Sequence, residues 1–187
     1  MNSRVEVHST LFGSRIVGGC EPSSSRLFRV HLVVPPLEID APVQKVWQVL
    51  RNLAAYPEWN PLNRFITPAN STRGDKMSLG ISWGPYERNG IPLDVRTLPI
   101  ALKNTEILSV DQPNEALGWA DNLGSWIHRA ERIQYLTPLP GGHTLYGTEE
   151  IMVGLLSPLI GRIFRERILR GFAASGQALK RRVEQGD

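Results

Sequence analysis

A chain of 187 residues is long enough for one sizeable domain, and a domain of that length buries roughly two-thirds of its unfolded surface. Its apolar (41%) and charged (21%) fractions are those of ordinary globular proteins and exclude a disordered or fibrous chain. The net charge of +3 is mild, Cys20 is the only cysteine, and no apolar run approaches the ~20 residues of a membrane span, so internal disulfides and thiolate metal clusters are excluded and a cytoplasmic setting is expected.

Residues 1–25 carry serine, glycine and proline with little burial pattern and read as a weakly ordered arm, with an edge-strand alternation at Arg15 to Val17. Residues 26–187 read as one domain. A strand is expected from Leu27 to Ile39, broken at Pro35-Pro36, where missing amide hydrogens demand an edge or a bulge. Asp40 is placed to cap the next helix, with Pro42 in its first turn. Val43, Val46, Trp47 and Leu50 recur at helical spacing and make one buried stripe. Pro57 and Pro61 end this segment and leave Tyr56, Trp59 and Asn60 in a tight helical turn.

Strand candidates follow at Asn63–Thr67, Lys76–Trp83, Leu93–Leu98, Ala101–Val110, Glu115–Asp121, Trp126–Thr137 and His143–Val153. Turn residues separate them, among them Arg88-Asn89-Gly90, Asp111-Gln112-Pro113-Asn114, Asn122-Leu123-Gly124 and Pro140-Gly141-Gly142. Short turns between consecutive strands make an antiparallel meander. A helix from Ser157 to Glu184 closes the chain, with Ile160, Phe164, Ile168, Gly171, Ser175 and Leu179 along one stripe. Gly171, Ala174 and Gly176 leave space there, for close packing or for a ligand. Arg162, Arg165, Arg167, Arg170, Lys180, Arg181 and Arg182 give this helix a solvated basic face, or a surface for phosphate or anionic lipid.

The four histidines show no metal-ligand spacing, and neither a phosphate-binding glycine loop nor a G-x-S-x-G elbow occurs. The basic residues are not interleaved with aromatics as in single-strand nucleic-acid binders. No cofactor, no metal and no nucleic-acid partner are therefore expected.

The order strand, helix pair, meander and long C-terminal helix resembles the START-like superfamily of polyketide cyclases, lipid-transfer domains and plant hormone receptors. The residues that carry the resemblance are Leu37 to Pro42 with Val46-Trp47, then Tyr56-Pro57-Glu58-Trp59-Asn60-Pro61, then Gly142-His143-Thr144 through Glu150 to Gly154-Leu155-Leu156 and the terminal helix. The resemblance implies an α+β helix-grip fold: a curved antiparallel sheet wrapped around the C-terminal helix, two short helices after the first strand, and a cavity between sheet and helix. Arg132 departs from the histidine that members often carry in the penultimate strand.

The Pro138–Gly142 turn, taken as tight, sets Arg132 opposite Thr148, Ala130 opposite Glu150 and His128 near Met152; the preceding turn sets Trp119 opposite His128. His128, Arg132 and Gln134 then share a face with Leu117, Trp119, Tyr146, Thr148, Glu150 and Met152. A hydrophobic count would instead bury Leu145, Ile151 and Val153, whereas the resemblance favours the Glu150 face, which we take as the cavity face. On that face His128 and Glu150 are the expected proton-transfer pair, and Arg132 the group that steadies an enolate oxygen. Leu117, Trp119, Gln134, Tyr146, Thr148, Met152, Phe164, Ile168, Gly171 and Phe172 are the expected lining, with Trp83 and Tyr86 at the rim. The expected function is cofactor-free cyclisation, dehydration or isomerisation of a small hydrophobic, polyketide-like molecule. The alternatives are a non-catalytic carrier or sensor, and, less favoured, a module that touches membranes. A monomer or weak homodimer is expected.

Overall fold

The computed structural model describes residues 28–121 and 126–186, so the expected arm, Cys20 and the Asn122–Ser125 turn lie outside the described residues. The first strand is split as its prolines require. β1 (Arg29–Val33) and β2 (Leu37–Ile39) both pair with the same neighbour, and Pro35-Pro36 fills the gap between them.

The short α1 (Val43–Arg51) buries Val43, Val46 and Leu50. Asp40 does not cap it: Pro42, two residues on, occupies the N-cap position with φ −64° and ψ 149°, where its ring already supplies the needed backbone shape. Arg51 ends the helix and holds it to the sheet through Asp111 (3.0 Å) and the Ser71 carbonyl (2.6 Å). A single turn, α2 (Tyr56–Trp59), follows, with the Tyr56 and Trp59 rings packed edge to face at 4.9 Å.

β3 (Asn63–Thr67), β4 (Lys76–Ile81), β7 (Leu102–Gln112), β8 (Ala116–Ala120), β9 (Arg129–Pro138) and β10 (Thr144–Val153) form the meander, in the order β1-β10-β9-β8-β7-β4-β3. A small hairpin of β5 (Glu87–Arg88) and β6 (Ile91–Pro92) stands apart. The strand expected at Leu93–Leu98 is instead a 3₁₀ turn over Val95–Thr97. The Asp94 carboxylate captures the Arg96 amide, and Pro92 and Pro99 have no amide to give a ladder. The long helix α3 (Ser157–Gln185) lies against the sheet.

Two cross-strand pairs shape the outer surface of the sheet. Phe65 pairs with Gly80, and Tyr135 pairs with Gly147. Each aromatic ring occupies the space that a Cβ on its glycine would need. How far the sheet curls is shown by one bond: the Arg132 guanidinium on β9 donates to the Asn63 side-chain oxygen on β3 at 3.0 Å. In a flat sheet those strands, four spacings apart, would be about 19 Å from each other.

The interior has two apolar clusters. One gathers Trp119, Tyr56, Tyr146 and Leu179 with the α1 stripe; the other gathers Leu32, Leu62, Met152, Ile168 and Phe172.

Candidate functional site

The Glu150 face of the last strand is the inner face: Thr144, Tyr146, Thr148 and Met152 are buried, while Leu145, Ile151 and Val153 are half-buried on the outside. The residue pairing differs from the tight-turn expectation. Pro138 extends β9, and the Leu139 amide closes the loop on the His143 carbonyl at 2.9 Å. That longer β9 moves the register by two residues, so Glu150 pairs with Arg132, Thr148 with Gln134 and Met152 with Ala130. On the other side Trp119 pairs with Arg132, not with His128, because Asp121 accepts the Ala130 amide (2.9 Å) and β9 starts only at Arg129. An even shift leaves every side chain on its expected face and changes only its neighbours.

Arg132 is the centre of the polar interior. It is only 5% exposed, and its guanidinium lies 4.3 Å from the Phe172 ring centroid and 5.7 Å from that of Trp119, one ring from each apolar cluster. It donates to Thr148 Oγ1 (3.2 Å), Asn63 Oδ1 (3.0 Å) and, at longer range, Gln134 Oε1 (3.5 Å), all neutral acceptors. The Tyr146 hydroxyl also donates to Gln134 Oε1 at 2.9 Å, and the Tyr56 hydroxyl to the Leu50 carbonyl at 2.8 Å. Burial holds both phenols above their ordinary range, so they stay protonated donors. The buried Gln134 amide nitrogen has no hydrogen-bond partner among the described residues.

Beside this network lies a cavity of about 270 Å³, lined by Val34, Pro35, Pro36, Leu37, Tyr146, Thr148, Phe172, Ala173, Gly176 and Gln177. It opens where the prolines interrupt the first strand, between that gap and α3. Three expected lining residues, Tyr146, Thr148 and Phe172, are in its wall. Leu117, Trp119, Gln134, Met152 and Ile168 are buried on the same inner side without lining it. The expected rim is elsewhere. Trp83 stacks on Phe164 at 6.1 Å, and Tyr86 donates to the Ser82 carbonyl (2.6 Å), so this loop covers another flank of α3. Burial pushes the Tyr86 hydroxyl up to about 12. Gly171 provides no room for a ligand either: a Cβ there would come within 2.7 Å of Leu62 and 3.0 Å of the Tyr86 hydroxyl. The cavity wall begins further along the helix, at Phe172, Ala173 and Gly176.

Acidic groups occupy the inner face towards the start of α3. Glu150 is half-buried between Leu32 and Arg132, and its carboxyl is pushed up to about 7 by burial, with the Arg132 charge pulling it back. Glu106 neighbours Asp121 across the β7–β8 ladder; burial and the Asp121 and Glu150 charges push it up to about 8. His128 is not partnered with Glu150. Its Nδ1 is 2.9 Å from the Ser157 hydroxyl, and its Nε2 is 4.0 Å from an Asp121 oxygen. His128 precedes β9, four residues and about 13 Å along the strand direction from the partner of Glu150. Ser157 is fully buried and Asp121 mostly so. The Ser–His–Asp row lies outside the cavity wall and fastens the start of α3 to the sheet. Among the described residues no group of three or more His, Cys, Asp or Glu is placed to hold a metal ion.

The sequence reading missed Asn63, Tyr56, Glu106, Asp121 and the cavity mouth. A signal existed for Asn63 and Tyr56, since Tyr56 opens the Tyr56–Pro61 segment that carries the resemblance and Asn63 follows two residues past its end.

No protein-family model and no curated protein matches the sequence. Solved structures do match the fold. A START superfamily protein from Mycobacterium smegmatis aligns with a TM-score of 0.55 at 17% identity, over 86% of this chain and 99% of its own. The Zhui aromatase/cyclase from a Streptomyces species aligns at 0.57 and 12% identity, over 84% and 98%. Norcoclaurine synthase from Thalictrum flavum aligns at 0.55 and 15%, over 84% and 96%. At these identities the likeness establishes the fold, and the fold is the START-like helix grip.

Proposed function

We propose that the protein binds one small hydrophobic molecule between the Pro35-Pro36 gap, β10 and α3, with the polar end of that molecule turned towards Arg132. The observation that carries this reading is the cavity itself. Its wall is apolar apart from Tyr146, Thr148 and Gln177, and Thr148 and Phe172 both touch the guanidinium behind it. At about 270 Å³ it lies near the lower end of small-molecule pockets and suits a compact ligand or one end of a longer one.

The catalytic part of the proposal rests on Glu150 and Arg132. With its carboxyl near 7, Glu150 exists in both forms close to neutral pH, as a general acid–base needs. As carboxylate it takes a proton from the carbon beside a ligand carbonyl, and the electron pair moves onto the carbonyl oxygen. Arg132 offsets the charge that develops there. The enolate carbon attacks a second carbonyl of the same ligand to close a ring, and the resulting alkoxide recovers the proton from Glu150. Two of the fold's relatives carry names for carbon-skeleton chemistry, an aromatase/cyclase and norcoclaurine synthase, which supports an enzyme reading.

A carrier or sensor is the second reading. It is favoured by one observation: none of Glu150, Arg132 and His128 is part of the cavity wall. Native mass spectrometry of the purified protein tests binding. A co-purifying small molecule is expected in the wild type and absent from Ala173→Trp, which plugs the mouth at an exposed position. No bound mass, or a mass retained by the plugged variant, overturns the proposed site.

A further inference from the structure

One end of the molecule displays an apolar surface that three chain segments build together. The Gly154 amide bonds the Phe28 carbonyl (3.1 Å), the Leu155 amide bonds the Trp126 carbonyl (3.0 Å), and α3 starts directly afterwards. These joints bring Phe28, Trp126, Leu155, Leu156, Leu159 and Ile163 to one place, and all are exposed, Trp126 by 69% and Ile163 by 58%. Most large apolar side chains exposed among the described residues belong to this end, and such a concentration marks a contact surface rather than ordinary scatter.

The charge on the adjoining turns of α3 is mostly basic. Arg162, Arg165, Arg167 and Arg170 are exposed on the first turns of α3, with Glu166 the acidic residue among them. Tryptophan, leucine and isoleucine ringed by arginine match a bilayer interface, where the rings and aliphatic chains enter the acyl boundary and long cationic side chains reach back to phosphate. A second copy of the same chain would set arginine against arginine and gains nothing from this ring. Helical spacing also places Leu159, Ile163, Glu166, Arg170, Ala173 and Gln177 on one side of α3. Ala173 and Gln177 belong to the cavity mouth, about 15 and 21 Å along the helix from Ile163.

We propose that this end, centred on Trp126, Leu155, Leu159 and Ile163, docks on anionic phospholipid bilayers and brings the cavity mouth close to the lipid surface. The docking stands independently of the proposed cavity ligand, so it can fail or hold whatever occupies the cavity.

Co-sedimentation of the full chain with phosphatidylcholine vesicles, with and without phosphatidylserine, tests it. Binding is expected to require phosphatidylserine and to weaken at least about tenfold when salt is raised from low to high concentration. Leu159→Asp with Ile163→Asp, and separately Arg162→Glu with Arg165→Glu, should each reduce binding by at least about tenfold. All four positions are exposed, so melting temperature should stay at the wild-type value. Quenching of Trp126 fluorescence by brominated lipid should disappear in Trp126→Phe. Equal binding to neutral vesicles, binding unchanged in both double variants, or no binding together with concentration-dependent dimers that the Asp variant dissolves, each overturns the proposal.

Discussion

Arg132 and Glu150 face each other across the β9–β10 ladder, yet every hydrogen bond of the guanidinium goes to a neutral oxygen, on Thr148, Asn63 or Gln134. Arg132 thus acts on Glu150 through space, holding its carboxyl lower than burial alone would. Arg132→Met should raise the Glu150 pKa further and move the acid limb of any pH–activity profile upward; a carboxyl-selective NMR titration reads the shift directly. An unmoved Glu150 titration would show that the two groups are electrostatically independent.

Glu150→Gln keeps shape and removes the ionisable group. If Glu150 moves the proton, turnover should fall by about 10²–10⁴-fold with little change in ligand affinity. His128→Ala should behave differently. It breaks the bond to Ser157 and should lower stability by about 1–2 kcal/mol, while turnover per folded molecule stays near wild type. Ser157→Ala should reproduce that loss, and a double variant should add little, which a thermal-denaturation cycle measures.

The raised carboxyls also predict how stability depends on pH. Between the ordinary carboxylate range and about 7 to 8, Glu150 and Glu106 hold protons in the folded chain that the unfolded chain has already released. Their contribution is therefore fully present below the unfolded pKa and is lost as pH rises through the folded values. Each group lowers stability by up to about 1.4 kcal/mol per pH unit in that window. The unfolding free energy read from denaturant titrations should fall from pH 5 to pH 8, by up to about 6 kcal/mol in all, and Glu106→Gln should flatten much of the slope. A flat profile in the wild type would mean that both carboxyls are ionised in the folded state.

Helix α3 offers a paired test of where the empty space is. Gly171→Ala pushes a methyl against Leu62 and Tyr86 and should cost about 1–3 kcal/mol with no direct effect on the cavity. Ala173→Phe should leave stability unchanged and displace a solvatochromic hydrophobic probe. The opposite pairing of effects would place the ligand on the Leu62 side of the helix.

Sequence patterns were sufficient for the fold because they are local. The helical spacing of Val43, Val46 and Leu50, the proline break at Pro35-Pro36 and the turn residues between strands each act within a few positions. The inner face of β10 was not legible that way. Leu145, Ile151 and Val153 are the more apolar set, yet Tyr146, Thr148 and Glu150 point inward because Arg132, Gln134 and Asn63 meet or neighbour them there. That network joins residues up to 69 positions apart, and no periodicity reports such a distance. Register failed for a related reason: one further ladder residue, Pro138, moved every β10 partner of β9 by two, and so parted His128 from Glu150 while leaving both faces intact.

The Phe65–Gly80 and Tyr135–Gly147 pairs make the outside of the sheet answerable for the inside. A ring that rests where a side chain would stand lets neighbouring strands bend away from it, and the bend is what carries β9 to within one hydrogen bond of β3. A methyl group added at Gly147, on the outer face of the sheet, would have to lift Tyr135 and straighten the ladder that holds Arg132. Drift at these two outward-facing glycines would loosen the polar network without altering any residue that lines the cavity.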